Sequence, residues 1–436
     1  MNIALAGFGK EGKASYDYWN RDGNQITIVD EQAVGDAPEG VATIIGSDAF
    51  SKLADFDLII RSPGINPKKL PYENKVWSAT NEFFKRCPAE TIGVTGTKGK
   101  GTTCSLIASI LRAAGNTVHL VGNIGEPALG ILPEIKSDDI VVYELSSFQL
   151  WDIQFSPDVA VVLGIEPDHL DVHDSFEDYV QAKANIRRYQ EIWDECYYHP
   201  TNENSRKIAT TSASYVEDER QLEARSQNIY RYGSEESVFV QDGWFVDNMD
   251  RQIASVDSLR LPGKHNVENA CAAIAAAQHY TIDADAFKKG LEDFTGLPHR
   301  LKFVEEVNRV KYYDDSIATT PGSAIAAIAS FEEPKILILG GKDKGADYTE
   351  LIESCSRSAS TVIAIGSNGP RIAQMCEDLG VSYIEEQGGM TDIVERAADI
   401  AQPGSVVILC PAASSFDMFK SYADRGDQFI GAVKQL

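Results

Sequence analysis

Thr91-Ile92-Gly93-Val94-Thr95-Gly96-Thr97-Lys98-Gly99-Lys100-Gly101-Thr102-Thr103 reads as an apolar strand running into a glycine-rich loop. Leu106, Ile107, Ile110 and Leu111 follow at helical spacing, so the loop opens a helix. That order makes a phosphate cradle. Successive loop amides turn outward, the helix N-terminus favours negative charge, and a lysine supplies a point charge. Lys100 is that lysine, and Thr102 or Thr103 offers a hydroxyl able to ligate Mg²⁺. The spacing departs from the common GxxxxGK[ST] form, since Gly101 follows Lys100 where a hydroxyl residue is usual. The loop predicts an ATP site formed by Gly96, Thr97, Lys98, Gly99, Lys100, Gly101, Thr102 and Thr103, with a glycine turn carrying a surface lysine as the bland alternative.

Working outward, short apolar runs bounded by glycine alternate with amphipathic stretches, the pattern of βα units around parallel sheets. Ile3–Ala6, Ile26–Val29 and Asp57–Ile60 are strand candidates before the loop. After it come Thr117–Val121, Ile140–Glu144 and Val159–Ile165, then a helix at Phe176–Tyr189. Val238–Val240 and Trp244–Val246 flank Asp242-Gly243, a hairpin signal, and helices follow around Val267–His279 and Ala284–Phe294. A last block places strands at Lys335–Leu339, Thr361–Ile365 and Val406–Leu409, alternating with helices at Gly322–Phe331, Tyr348–Ser356 and Pro370–Leu379. The expectation is an α/β protein of three domains in series, 1–88, 89–297 and 298–436, with ligands at the carboxyl ends of the strands.

Composition limits the function. The chain has 436 residues, 43% hydrophobic and 24% charged, which excludes a disordered or fibrous protein. A net charge of −25 argues against nucleic acid as a partner, while leaving small anions that need only a locally positive pocket. No apolar window has the length of a membrane span, and Met1–Gly7 lacks the basic flank of a signal peptide. Seven scattered cysteines without a CxxC pair suggest reduced thiols. The expectation is a soluble cytoplasmic chain with no membrane partner.

Gly7-Phe8-Gly9-Lys10-Glu11-Gly12 follows the first strand, and Asp30 ends the second, 18 residues beyond Gly12. This matches a nucleotide fingerprint in which helix-end amides hold a diphosphate and a carboxylate reaches ribose. NAD fits poorly, because the block is short for two Rossmann halves; a tight turn without ligand is the other reading. For metal, Glu144 closes an apolar strand, and Asp168-His169-Leu170-Asp171 follows another. Each alone reads as a cap or loop. At the ends of strands beside the P-loop strand they become candidate Mg²⁺ ligands, a sparse set that suits an ion sharing phosphate oxygens.

Gly96–Lys100, Glu144-Leu145-Ser146-Ser147-Phe148-Gln149-Leu150, Asp168–Asp171, Gly263-Lys264-His265-Asn266 and Gly296-Leu297-Pro298-His299-Arg300 stand in the order found in Mur ligases. Over essentially its whole length the chain resembles that family. Ser62-Pro63-Gly64-Ile65 and Pro411–Asp417 resemble its D-glutamate-adding members in particular. The resemblance implies a monomeric ligase of peptidoglycan-precursor synthesis: ATP phosphorylates the carboxylate of UDP-N-acetylmuramoyl-L-alanine, and the amine of glutamate attacks the acyl phosphate. It implies catalytic roles for Lys100, Glu144, His169 and Lys183, with Asn266, Asn269, Arg300 and Asp315 also at ATP. It implies two Mg²⁺ ions at Thr102 or Thr103, Glu144, His169 and Lys183, the last as a carbamate. The uridine substrate would lie at Gly7, Phe8, Gly9, Lys10, Asp30, Ser62, Pro63, Gly64 and Asn123, and glutamate at Thr319, Lys344, Ser415 and Tyr422. Two positions depart from the pattern. Gly101 resembles folylpolyglutamate synthases, which keeps that ligase as an alternative. Ile317 stands where lysine is common, which keeps L-glutamate open. A nucleotide-binding sensor without turnover and a nicotinamide oxidoreductase are the readings from other classes.

Overall fold

The computed structural model describes residues 1–21, 23–35, 37–70, 72–211, 228–343 and 345–436. They divide into two compact units, Met1–Leu259 with Val267–Phe294, and Arg260–Asn266 with Thr295–Leu436.

In the first unit, β1 (Asn2–Ala6), β2 (Gln25–Asp30), β3 (Ala42–Ile45), β4 (Leu58–Arg61) and β5 (Val76–Ser78) form a parallel sheet in the order β3-β2-β1-β4-β5. Ile3, Ala4, Leu5 and Ala6 are all buried, as expected of a strand covered on both faces. The order reverses between β1 and β4. The crevice at that switch point therefore lies between the loop after β1, Gly7–Gly12, and the loop after β4, Ser62–Gly64.

A second parallel sheet contains β6 (Glu90–Thr95), β7 (Val118–Gly122), β8 (Ile140–Glu144), β9 (Val159–Val162), β10 (Glu195–Tyr198) and β11 (Ile229–Arg231), in the order β11-β10-β9-β6-β8-β7. The strand leading into the glycine-rich loop is β6, and its two neighbours are β8 and β9. The helix Lys100–Ala113 buries Leu106, Ile107, Ile110 and Leu111. It packs on the helix Ala284–Asp293, where Ser109 Oγ donates to the Gly290 carbonyl at 2.8 Å. A small antiparallel sheet, β12 (Phe239–Gln241), β13 (Trp244–Val246) and β14 (Gln252–Ser255), turns at Asp242-Gly243. Both turn residues have positive φ, 50° and 79°, the type I′ geometry that this dipeptide predicts.

The second unit holds β15 (Lys302–Val307), β16 (Val310–Asp314), β17 (Lys335–Gly340), β18 (Thr361–Ile365), β19 (Tyr383–Glu386) and β20 (Val406–Leu409), in the order β15-β16-β20-β17-β18-β19. All neighbours are parallel except the β15–β16 hairpin, and apolar clusters cover both faces.

The elements differ from the sequence reading in instructive places. The strand predicted over Val159–Ile165 stops at Val162, because the next residues bend to follow the glycine-rich loop. Leu163 donates to the Thr95 carbonyl and Thr97 to that of Gly164, both at 2.9 Å. The helix predicted at Val267–His279 runs from Lys264 to Ala277. The β15–β16 hairpin carries no Asn-Gly or Asp-Gly signal, since Asn308 and Arg309 occupy its two positive-φ positions at 53° and 64°.

Candidate active site

Glycine at position 99 is demanded twice. Its φ is +86°, and a Cβ there would come within 2.5 Å of Asn269 Oδ1. Gly99 caps the helix Lys100–Ala113 without a side-chain acceptor, which leaves first-turn amides available to an anion. Lys100 Nζ donates to the Gly96 and Thr97 carbonyls, each at 3.0 Å, so the ammonium sits over its own loop. Lys98 is exposed, 3.7 Å from Glu166. Of the two threonines, Thr102 is half-buried at the helix start and Thr103 fully buried. Thr103 Oγ1 has no hydrogen-bond partner among the described residues.

Glu144 ends β8 and is buried, at 6% exposure. The residues after it are tied to β6, with Leu145 N donating to the Val94 carbonyl at 2.9 Å and Thr95 Oγ1 to the Leu145 carbonyl at 2.9 Å. Asp168 and His169 follow β9. Their side chains are 47% and 44% exposed for His169 and Asp168 respectively, 3.6 Å apart, and His169 has φ +53°. Lys183 is on the helix Phe176–Arg188, 1% exposed, with Nζ donating to Thr95 Oγ1 at 3.2 Å and the Gly96 carbonyl at 3.0 Å. Burial pushes its amine well below the ordinary lysine range, and the Lys100 ammonium pushes the same way; Asp168 and Glu144 oppose them. A lysine on an amphipathic helix ordinarily faces water. This one is turned into the loop that holds Lys100.

In the first sheet, Gly7 has φ +88°, and a Cβ at Gly12 would come within 2.6 Å of the Gly7 carbonyl, so the fingerprint turn closes on itself. Phe8 N donates to Asp30 Oδ2 at 3.3 Å and Gln32 N to Asp30 Oδ1 at 3.0 Å, so this carboxylate braces the turn. Ser62 Oγ donates to the Gly7 carbonyl at 2.8 Å, joining the two loops of the switch point. Gly9 N-caps the helix Lys10–Trp19. Lys10 Nζ reaches the Gly125 carbonyl at 3.1 Å, in the turn that exposes Asn123. Pro63, half-buried, and Gly64, exposed, follow in the turn after β4, with the Pro63 carbonyl accepting from Arg61 at 3.2 Å.

The second unit carries the remaining candidates. Asp315 follows β16, and its Oδ1 accepts from Leu301 N at 3.0 Å. Burial pushes this carboxyl up to about 7, against the Leu301 amide and Arg300. Arg300 itself is exposed. Asn266 is buried, donating to the Pro262 carbonyl at 2.6 Å. Thr319 is half-buried, Ser415 buried, and Tyr422 exposed at the start of the helix Tyr422–Val433. The sheet order reverses between β17 and β20. Gly340–Lys342 and Pro411–Ser415 follow those strands, and Lys342 N donates to the Ser414 carbonyl at 2.8 Å. Lys344 lies outside the described residues.

Three features had no motif to announce them. His173 is 2% exposed, with Nδ1 2.9 Å from Asp178 Oδ2 and Nε2 3.0 Å from Ser147 Oγ, its ring stacked on Phe148 and Trp151. This relay joins the loop carrying His169 to the turn after Glu144. Arg61, 1% exposed, grips Asp152 through two hydrogen bonds of 2.7 and 2.5 Å. Arg425 is fully buried, bonded to Ser316 and the Ala413 carbonyl. A polar residue only two or five positions from a motif gives no sequence signal of burial; the His173–Asp178 spacing was the one available hint.

A glycine-rich loop opening a helix beside a strand-end carboxylate, on a parallel sheet, defines a P-loop nucleotide-binding protein. Known proteins narrow the class. The Mur ligase middle domain matches residues 94–277, and the Mur ligase glutamate ligase domain matches residues 299–413. A UDP-N-acetylmuramoylalanine–D-glutamate ligase of Acetivibrio thermocellus is 36% identical over 100% of this chain and 96% of its own length. The crystal structure of a UDP-N-acetylmuramate–alanine ligase from Thermotoga maritima superposes with a TM-score of 0.60 at 18% identity, covering 100% of this chain and 99% of the other. Escherichia coli FolC, in complex with DHPP and ADP, gives 0.58 at 19% identity, covering 82% of this chain and 92% of its own. The chain belongs to the Mur ligase family, and it is an ATP-dependent ligase.

The residues present fit ATP with Mg²⁺: open helix-end amides, Lys100, a half-buried Thr102 hydroxyl and the buried Glu144 carboxylate offer the oxygen donors and positive charge this pair requires. Among the described residues no group of three or more His, Cys, Asp or Glu surrounds a single point. Mg²⁺ bound through phosphate oxygens needs no such cage.

Proposed function

We propose that this chain ligates D-glutamate to UDP-N-acetylmuramoyl-L-alanine with ATP, releasing ADP and phosphate, in the cytoplasmic synthesis of a peptidoglycan precursor. The observation that carries the reading is the setting of the glycine-rich loop: β6 lies between the strands that end in Glu144 and precede Asp168-His169, and the buried Lys183 amine donates to the loop's Gly96 carbonyl. Full-length similarity to a D-glutamate ligase supports the choice of substrates.

A carboxylate is a poor electrophile, and both it and the γ-phosphate are anionic, so the site must gather positive charge before they meet. Lys100 exchanges the Gly96 and Thr97 carbonyls for phosphate oxygens, and the helix-end amides take the rest of the chain of phosphates. Mg²⁺, as two ions, would supply Lewis acidity and charge neutralisation at Glu144, Thr102 and His169. Thr102 is preferred to Thr103 because the Thr103 hydroxyl is sealed from any ligand. In its neutral form, which burial favours, the Lys183 amine would add to carbon dioxide, losing one proton to give a carbamate whose oxygens would be able to join that ligand set. Asn269 against Gly99, together with Asn266, Arg300 and Asp315, would contact adenosine and phosphates. Gly7–Lys10, Asp30, Ser62–Gly64 and Asn123 would hold the uridine substrate, and Thr319, Lys344, Ser415 and Tyr422 glutamate. The domains run 1–88, 89–297 and 298–436, and the enzyme is a monomer.

Phosphate release from ATP with UDP-N-acetylmuramoyl-L-alanine, run with D- and L-glutamate in parallel, tests the proposal. Release with D-glutamate alone is expected. Preference for L-glutamate would keep the chemistry and change the product; no release with either isomer overturns the reading.

A further inference from the structure

The turn after Glu144 is closed by a capping box with an extra bond. Ser146 Oγ accepts from Gln149 N at 3.2 Å, while Gln149 Oε1 accepts from Ser146 N at 2.9 Å and from Ser146 Oγ at 2.8 Å. A glutamate at 149 would close the same box. Here the position also has to donate, because Gln149 Nε2 gives a 2.7 Å bond to Glu11 Oε1. Glu11 lies in the first turn of the helix Lys10–Trp19, within the Gly7–Gly12 fingerprint of the first sheet. A second carboxylate at 149 would face the first across that distance, so glutamine satisfies both partners.

The Glu11 carboxyl is placed at a cost. Its Oε2 is buried with no hydrogen-bond partner among the described residues. Burial raises its pKa, opposed by the Gln149 bond and by the Arg61 and Lys10 charges; its own charge in turn helps hold the Tyr143 hydroxyl, on β8, above the ordinary tyrosine range. A buried carboxyl oxygen left without a hydrogen bond destabilises a fold. As a mere clamp it would be redundant, because Arg61–Asp152 and the Asn81 bonds to Asp152 and Gln154 already join the same two sheets. What Glu11 adds is a bond to the Gln149 side chain that closes the capping box two residues beyond Glu144; Arg61 meets the same turn only at the Phe148 carbonyl.

We propose that Glu11 is a positioning residue for the ligase: through Gln149 and Ser146 it fixes the end of β8, so that the Glu144 carboxylate and the loop proposed to hold the uridine substrate keep one register. The inference rests on the reading of Glu144 as part of the ATP–Mg²⁺ site. Outer hydrogen-bond partners of this kind typically cost about 10–100-fold in metal affinity or activity when removed.

The test uses the full chain and two measurements. Calorimetry of ADP binding with and without Mg²⁺ isolates the metal-dependent gain in affinity without turnover, and steady-state kinetics gives kcat and the KM of each substrate. Glu11→Ala and Gln149→Ala should each cut the Mg²⁺-dependent gain about tenfold and lower kcat by a similar factor, leaving Mg²⁺-free ADP affinity unchanged. The double variant should be no worse than either single, since both break one bond. Glu11→Gln, which keeps an acceptor toward Gln149, should recover activity to within about threefold of the parent. A parent-like metal-dependent gain and kcat in Glu11→Ala, or additive losses in the double variant, would overturn the proposal. Should Glu11→Ala fail to fold, Gln149→Ala breaks the same bond from the other side. A parent protein that binds Mg²⁺-ADP but makes no product would instead sink the substrate assignment, and the calorimetric comparison would still decide the role of Glu11.

Discussion

Lys183 shows how one side chain acquires a chemistry foreign to its type. Water is excluded from its amine, a second ammonium lies near, and its two acceptors are a hydroxyl and a carbonyl with no full negative charge. Burial and the neighbouring charge both favour the uncharged amine, the form that reacts with carbon dioxide. Lys183→Ala is therefore expected to lower kcat by about 10–100-fold, with partial recovery in millimolar acetate or another short carboxylate; undiminished activity would remove Lys183 from the metal site. Asp315 is shifted in the opposite sense. Its carboxyl, with an ordinary value of 3.8, titrates in the folded chain at about 7 because burial disfavours the anion. Between those values the folded state holds a proton that the unfolded state has lost, so stability falls as pH rises from about 4 to 7 and stays reduced above it. Asp315→Asn keeps the acceptor for Leu301 N and removes the titration. Denaturant unfolding should show it matching the parent near pH 3.5 and exceeding it at pH 8 by more than about 1.4 kcal/mol, the equivalent of one pK unit. An equal difference at both pH values would place the ionisation elsewhere.

Strand ends and turns carry the candidate site, and they were unequally legible in the sequence. Glu144 and Asp168-His169 could be placed beside the glycine-rich loop because each closes or follows an apolar run, and the sheet sets both runs next to β6. His173 and Arg61 could not, since nothing in a heptapeptide distinguishes a buried ion from a solvated one. Their roles come from partners 26 and 91 residues away in the chain. The β15–β16 hairpin escaped for a backbone reason, two non-glycine residues at positive φ where the usual turn signal has Asn-Gly. Arg61 also gives the clearest test of how the two sheets of the first unit hold together. It ends β4, is shielded from water, and makes a paired bond to Asp152 together with four backbone acceptors. Arg61→Ala leaves Asp152 and those carbonyls unsatisfied, and an unfolding free energy lower by about 3–5 kcal/mol is expected. A loss below 1 kcal/mol, typical of exposed pairs, would show that water replaces the guanidinium without cost.

The two glycine-rich loops of the first unit, proposed to hold the uridine substrate and ATP, belong to different sheets, and this makes separate failures possible. Gly7–Gly12 follows β1 and takes its shape from Gly12, Asp30 and Ser62. Gly96–Gly101 follows β6 and takes its shape from Leu163, Gly164 and Asn269. Neither set shares a residue with the other, and Lys100 Nζ donates to the Gly96 and Thr97 carbonyls of its own loop, each at 3.0 Å. Substituting Lys100 thus removes a charge from the phosphate cradle without disturbing the fingerprint turn. For Lys100→Ala, phosphate release should fall by at least about 100-fold, as expected for a group that stabilises transferring phosphoryl charge, while the Kd for UDP-N-acetylmuramoyl-L-alanine, measured by calorimetry, changes by less than about threefold. The converse holds for a bulky side chain at Gly12, which must displace the Gly7 carbonyl: Gly12→Val should weaken the uridine substrate and spare ADP. Parallel loss of both ligands in either variant would mean that the two loops form one site, and the assignment of uridine substrate and ATP to separate sheets would fall with it.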